Sequence, residues 1–188
     1  MKFLVVAALM TTGALKAERA NKEMPIVEVS QSGINPDPLL MKGRAAATVV
    51  MQGIGIKLQW RSEQECRRST NCITISVLSN SLPDDQPGAL AYAKVYQGKQ
   101  IVVFGDRVLD SIESRRAPIL LGHVIAHEIV HVLQGVARHS ESGLMKAHWT
   151  GRDYGEMTRK PLPVTELDQL LIGNGIALRK ERDRSLIR

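Results

Sequence analysis

The sequence predicts an α+β fold, and three observations carry that prediction. Short β-type stretches cluster between residues 54 and 104, helix-like stretches flank them at 39–53 and from 165 onward, and between lies the run LLGHVIAHEIVHVLQ. That run is too apolar for a surface helix and suits a buried one. At 188 residues and 44% hydrophobic composition the chain is long enough for one well-formed core.

In chain order, residues 1–17 (MKFLVVAALMTTGALKA) have the layout of a secretory signal peptide: Lys2, an apolar stretch from Phe3 to Leu15, then the small residue Ala17. The stretch is too short to span a bilayer, and no later segment approaches ~20 consecutive apolar residues. The expectation is a chain with no stable membrane insertion after cleavage, secreted or periplasmic. Residues 18–38 form an N-terminal segment in which Pro25 to Ser30 alternate like a short strand and Asn35-Pro36-Asp37-Pro38 reads as a turn. The main domain is expected over 39–188.

It opens with a helix at 39–53, stopped by Gly53. Ile54, Ile56, Leu58 and Trp60 then alternate with Gly55, Lys57 and Gln59, which predicts a half-buried strand. Cys66 and Cys72 follow; in an exported chain this pair predicts a disulfide closing a small loop, worth about 2 kcal/mol by loop entropy. Residues 73–78 (ITISVL) are β-branched and read as a strand. The loop 79–88 is polar; Asp84 and Asp85 are read as solvated rather than as a calcium site. Residues 89–96 and 100–104 predict a hairpin through Gln97-Gly98-Lys99. Asp106 is expected to cap a short helix reaching Glu113, and Pro118 to sit in the first turn of the apolar helix. The stretch after Met145 reads as irregular. Thr165 and Asp168 have capping-box spacing and open a final helix, expected to break at Gly173-Asn174-Gly175 and to end in the frayed tail RKERDRSLIR.

The apolar helix carries the chemistry. His127-Glu128-Ile129-Val130-His131 has the spacing H-E-x-x-H. Residues four apart share one helix face, so the two imidazoles can hold one Zn²⁺ from adjacent turns, with Glu128 beside them as a base toward water on the metal. Catalytic zinc sites use three protein ligands, and a helix continued to His139 would carry it about 12 Å along the axis from His131. A turn at Gly135 brings His139 back. His123, one turn earlier, and the carboxylates Glu141 and Asp153 are the alternative third ligands.

The stretch HEIVHVLQGVARHSESGLM resembles the metzincin clan of zinc peptidases, whose pattern is H-E-x-x-H-x-x-G-x-x-H followed by a turn containing Met. Here Gly135 lies one residue further from His131 than the pattern asks, and His139 two further. The resemblance implies His127, His131 and His139 as ligands, Glu128 as general base and Met145 as the Met-turn residue. It also implies a twisted, mainly parallel sheet packed on the H-E-x-x-H helix, an edge strand that takes an extended peptide antiparallel (here from residues 89–104), and a small C-terminal helical part. Tyr154 corresponds to a tyrosine that contacts the oxyanion in some members, and equally suits a half-buried packing role.

The expected activity is that of an exported zinc metallopeptidase acting on a peptide or protein substrate. The alternatives are a catalytically weak zinc- and peptide-binding domain and a zinc amidohydrolase acting on a non-peptide amide. Nucleic-acid binding is not indicated: loss of Lys2 and Lys16 with the leader takes the net charge from +6 to +4, and no basic run is interleaved with aromatics.

Overall fold

Alternation along the strands builds the sheet. In β1 (Ile26–Ser32), Val27 and Val29 turn inward, as do Leu58 in β2 (Lys57–Arg61), Ile73 and Ile75 in β3 (Ile73–Leu78), and Ile101 and Val103 in β5 (Gln100–Phe104). β4 (Ala91–Ala93) completes a five-stranded sheet of order β2-β1-β3-β5-β4. β1 pairs in parallel with β2 and β3, β3 in parallel with β5, and β4 closes the edge antiparallel to β5. The computed structural model describes residues 23–32, 38–82, 86–96 and 99–186. The expected leader at 1–17, the Asn35-Pro36-Asp37 turn, Asp84, Asp85 and the Gln97-Gly98 linker lie outside them. The chain is α+β with a mixed sheet. Residues 26–32, read from the sequence as lying before the domain, sit inside its sheet.

Helices α1 (Pro38–Gly53) and α4 (Ala117–Gln134) pack together to form the core with the sheet. They approach at backbone distance. A Cβ on Gly122 would lie 2.4 Å from the Ala46 Cβ, and one on Gly43 would lie 2.5 Å from Leu121. Nearly all of α4 is buried, which is why its sequence is apolar on every side. By length and composition this helix would also pass for a membrane span; burial inside the domain marks it as a core helix. Pro118 lies in its first turn, as expected.

Four local expectations are corrected. The strand predicted from Ile54 starts at Lys57: Gly55 takes a left-handed φ of 81°, Ile54 and Ile56 both donate to the Met51 carbonyl, and Ile56 turns into the core. The apolar alternation there belongs to a helix C-terminus, which Gly permits. Asp106 does not cap α3 (Gly105–Asp110); its carboxylate accepts from the Ser81 N–H and hydroxyl, both at 2.8 Å, and ties the preceding loop to the helix. The disulfide loop is entered through a short helix α2 (Glu63–Arg68), capped by Ser62 and Glu65, whose second half lies within the loop. The final helix, α6 (Glu166–Leu186), runs unbroken through Gly173 and Gly175.

The Cys66–Cys72 disulfide is present, with Cα atoms 5.3 Å apart. It presents Thr70 and Asn71 to the end of α6, where Asp183 accepts from both. Arg179 donates to the Asn71 carbonyl at 2.6 Å. Within the stretch expected to fray, Arg179 and Asp183 are therefore docked on the disulfide loop.

Two glycines on α6 should respond oppositely to alanine. A Cβ on Gly175 would lie 1.6 Å from the Leu133 carbonyl oxygen of α4, whereas one on Gly173 meets nothing within 4 Å. Gly175→Ala should force the helices apart and destabilise by about 1–3 kcal/mol, and Gly173→Ala should stabilise by about 0.5–1 kcal/mol through helix propensity. Urea unfolding of the two variants checks this; equal effects would mean that α6 does not cross α4 at Gly175.

Candidate metal centre

The site begins with two rings on α4. His127 and His131 stand one turn apart and are both buried. The Nδ1 of His127 lies 2.8 Å from the Leu144 carbonyl, and that of His131 lies 3.2 Å from the Val136 carbonyl. A carbonyl only accepts, so each Nδ1 carries the proton and each Nε2 is left with its lone pair. The two Nε2 atoms are 3.0 Å apart. Lone pairs aimed at one point, with the far nitrogens held by backbone carbonyls, are the arrangement of metal-ligating histidines. Burial, and for His127 the neighbouring His131, hold these imidazoles down to about 3 and about 4, so both are neutral and ready to ligate at neutral pH.

The loop after α4 supplies the third ring. Gly135 ends the helix with φ 68° and its N–H on the His131 carbonyl at 2.9 Å. The chain then doubles back, and the Ser140 N–H donates to the Met145 carbonyl at 2.7 Å. His139 stacks near His127 and edge-on to His131, with ring centroids 5.4 and 5.0 Å away. One ring nitrogen from each of His127, His131 and His139 lies within 4.8 Å of the others, and this is the one such group of potential ligands among the described residues. Three neutral imidazole nitrogens suit a transition-metal cation such as zinc.

The other ligand candidates are committed elsewhere. His123 is fully buried rather than at the rim; its Nδ1 donates to the Ile119 carbonyl at 2.9 Å and its Nε2 accepts from the Leu162 N–H at 3.3 Å. Asp153 accepts from Lys146 at 2.7 Å and from the Thr150 N–H and hydroxyl; against burial, these bonds hold its carboxyl down to about 2. Glu141 is exposed. Met145 is fully buried in the core, and its neighbour Leu144 supplies the carbonyl that orients His127. Gly143, at φ 75°, passes so close to the Pro163 carbonyl that only glycine fits there.

Glu128 is buried on the same helix at the floor of a cleft of about 590 Å³. The cleft is lined by His127 and His139, by residues 87–91 leading into β4, and by Lys146, His148, Trp149 and Tyr154. Burial pushes the Glu128 carboxyl up to about 8, against a hydrogen bond from the Ala93 backbone that favours the charged form. Trp149 stands edge-on to His127 at 5.5 Å and donates to the Gly143 carbonyl. Tyr154 lies on α5 (Gly151–Met157), a helix within the stretch read as irregular, where it both lines the cleft and packs on the core. Arg107 donates to the Leu82, Gln86 and Ala89 carbonyls, and so holds the chain next to the cleft residues 87–91. Sequence reasoning gave Arg107 no role, since nothing local distinguishes it from a surface arginine.

No family model and no curated protein matches this chain. Among solved structures, it aligns with the crystal structure of an archaemetzincin from Methanopyrus kandleri. The alignment has 14% identity, covers 84% of this chain and 98% of that one, and has a TM-score of 0.49.

Glu128 gives the metal-free chain a pH signature. Its carboxyl lies at about 8 when folded against an ordinary 4.5, so the folded state binds the extra proton between those values. The stability that this contributes is present below about pH 4.5 and is lost as pH rises through about 8. Glu128→Gln should therefore stabilise the metal-free chain increasingly across that window, by a few kcal/mol at its upper end. Urea midpoints in chelator measure this, and a difference that does not vary with pH would show that the carboxylate is not desolvated.

Proposed function

We propose that this chain is an exported zinc-dependent endopeptidase. The observation that carries the reading is the convergence of the His127, His131 and His139 ring nitrogens beside the buried carboxylate of Glu128, inside a cleft. A metal site serving only structure has no need of a base, and catalytic zinc sites take three protein ligands. Zinc held there would supply a Lewis acid and an acidified water.

The chain's own groups do the rest. Leu144 and Val136 fix the two helical imidazoles through their carbonyls. Glu128 takes a proton from the attacking water and passes it to the leaving amine, a task suited to a carboxyl whose affinity for a proton is raised. Tyr154, on the cleft wall, is the hydrogen-bond donor proposed for the developing oxyanion. Among the described residues β4 pairs only with β5, and Ala91 lines the cleft, so the part of the β4 edge not taken by the Ala93 hydrogen bond to Glu128 is offered to an extended peptide by strand addition. The leader-like residues 1–17 and the Cys66–Cys72 disulfide support export.

The purified chain should hold close to one equivalent of zinc at neutral pH and cleave casein or gelatin in a chelator-sensitive way. Glu128→Ala should keep the zinc and lose activity by at least ~10²-fold. His139→Ala should lose zinc affinity and activity together. Zinc uptake with no cleavage by the wild type would favour a binding domain or a hydrolase of another amide. Activity retained in Glu128→Ala would sink the mechanism.

A further inference from the structure

Of the three converging histidines, His139 is the one outside the helix, and its own loop does not explain its placement. It is exposed, and residues 135–139 form no regular structure. Its two sequence neighbours, however, are tied to the same buried group. Arg138 donates to Asp168 Oδ1 at 2.6 Å, and the Ser140 hydroxyl reaches Oδ2 at 2.8 Å and Oδ1 at 3.0 Å. Gln134, the last residue of α4, donates to Oδ1 at 3.1 Å. Asp168 is 0% exposed. It is itself fixed in the first turn of α6 by the Thr165 N–H and hydroxyl, which donate to Oδ2 at 3.0 and 2.7 Å.

We infer that Asp168 is a positioning residue that holds the Arg138–Ser140 segment so that the His139 ring stays on His127 and His131. The inference rests on the zinc reading above for its consequence, and on the hydrogen bonds alone for its geometry. Asp168 does not line the cleft, so it acts through the loop. The two oxygens divide the work. Oδ2 serves the helix cap and takes the shorter Ser140 bond, while Oδ1 collects Arg138 and Gln134, which a cap does not need. An asparagine can keep the cap by turning its carbonyl to Thr165. It then faces Arg138 and Gln134 with an N–H, donor against donor.

Asp168→Asn should therefore fold, and should weaken zinc binding by about 10–100-fold, the usual cost of losing a group that orients a ligand. Competition with a chromogenic chelator reads the affinity, and the visible spectrum of the cobalt-substituted chain reads the ligand geometry, which should change. Arg138→Met should follow Asp168→Asn, and Arg138→Lys, which keeps the ion pair, should restore binding. Asp183→Asn removes a carboxylate at the far end of the same helix, where it holds Thr70 and Asn71. It should lower stability and leave zinc affinity alone.

Affinity and cobalt spectrum unchanged in Asp168→Asn, or an equal loss in Asp183→Asn, would overturn the inference. If Asp168→Asn does not fold, the double variant Arg138→Met with Ser140→Ala leaves the cap intact and carries the same expectations. If the wild type takes up no zinc, the peptidase reading falls. The positioning claim is then decided by amide hydrogen exchange of the metal-free chain. Faster exchange of the Ser140 N–H in Asp168→Asn, but not in Asp183→Asn, supports it; no change overturns it.

Discussion

Two imidazole lone pairs meet across 3.0 Å on a helix that is largely apolar. Without a cation or proton between them they repel, and burial of both rings leaves that repulsion less screened than at the surface. Everything around them is arranged to hold the pair regardless. The rings cannot rotate away, because the Leu144 and Val136 carbonyls hold their far nitrogens. Those carbonyls lie on one returning loop, which must itself be pinned. The Pro163 carbonyl takes the Leu144 N–H at 2.7 Å, and the Met145 carbonyl takes that of Ser140.

Rigidity of the helix that bears the pair comes from close packing. Glycines at the contacts of α1 with α4 and of α6 with α4 let backbones approach where any side chain would intrude. Such contacts tolerate little movement, since interiors at this density have no room for it. The helix is thereby a fixed platform, and the adjustable parts of the site are its rims.

Three loops are held by one device. Asp106, Asp153 and Asp168 each sit in the first turn of a helix, and each accepts from a segment that precedes the helix: Ser81, Lys146, and Arg138 with Ser140. A first-turn carboxylate is already favoured by the helix dipole. Its second set of lone pairs remains free to collect a loop, so one group orders two segments.

What the sequence by itself determined is local. The i, i+4 histidines with Glu128 between them, the strand alternation at 73–78 and 100–104, and the capping box at Thr165 all depend on neighbours within a turn or two, so they could be read directly. Ser62 with Glu65, and Thr150 with Asp153, carried the same capping signature and were legible in principle; their helices were missed because they are too short for apolar periodicity to show. Tertiary structure alone decided the rest. That His139 rather than His123, Glu141 or Asp153 joins the pair depends on partners from distant elements: Leu162 for His123, Asp168 for the His139 loop. Gly175 could be read as a break and is a contact, because the Leu133 carbonyl that requires it lies on another helix. Spacing along the chain encodes which side chains can face one way; which of them meet is set by elements that reach the site from far away in sequence.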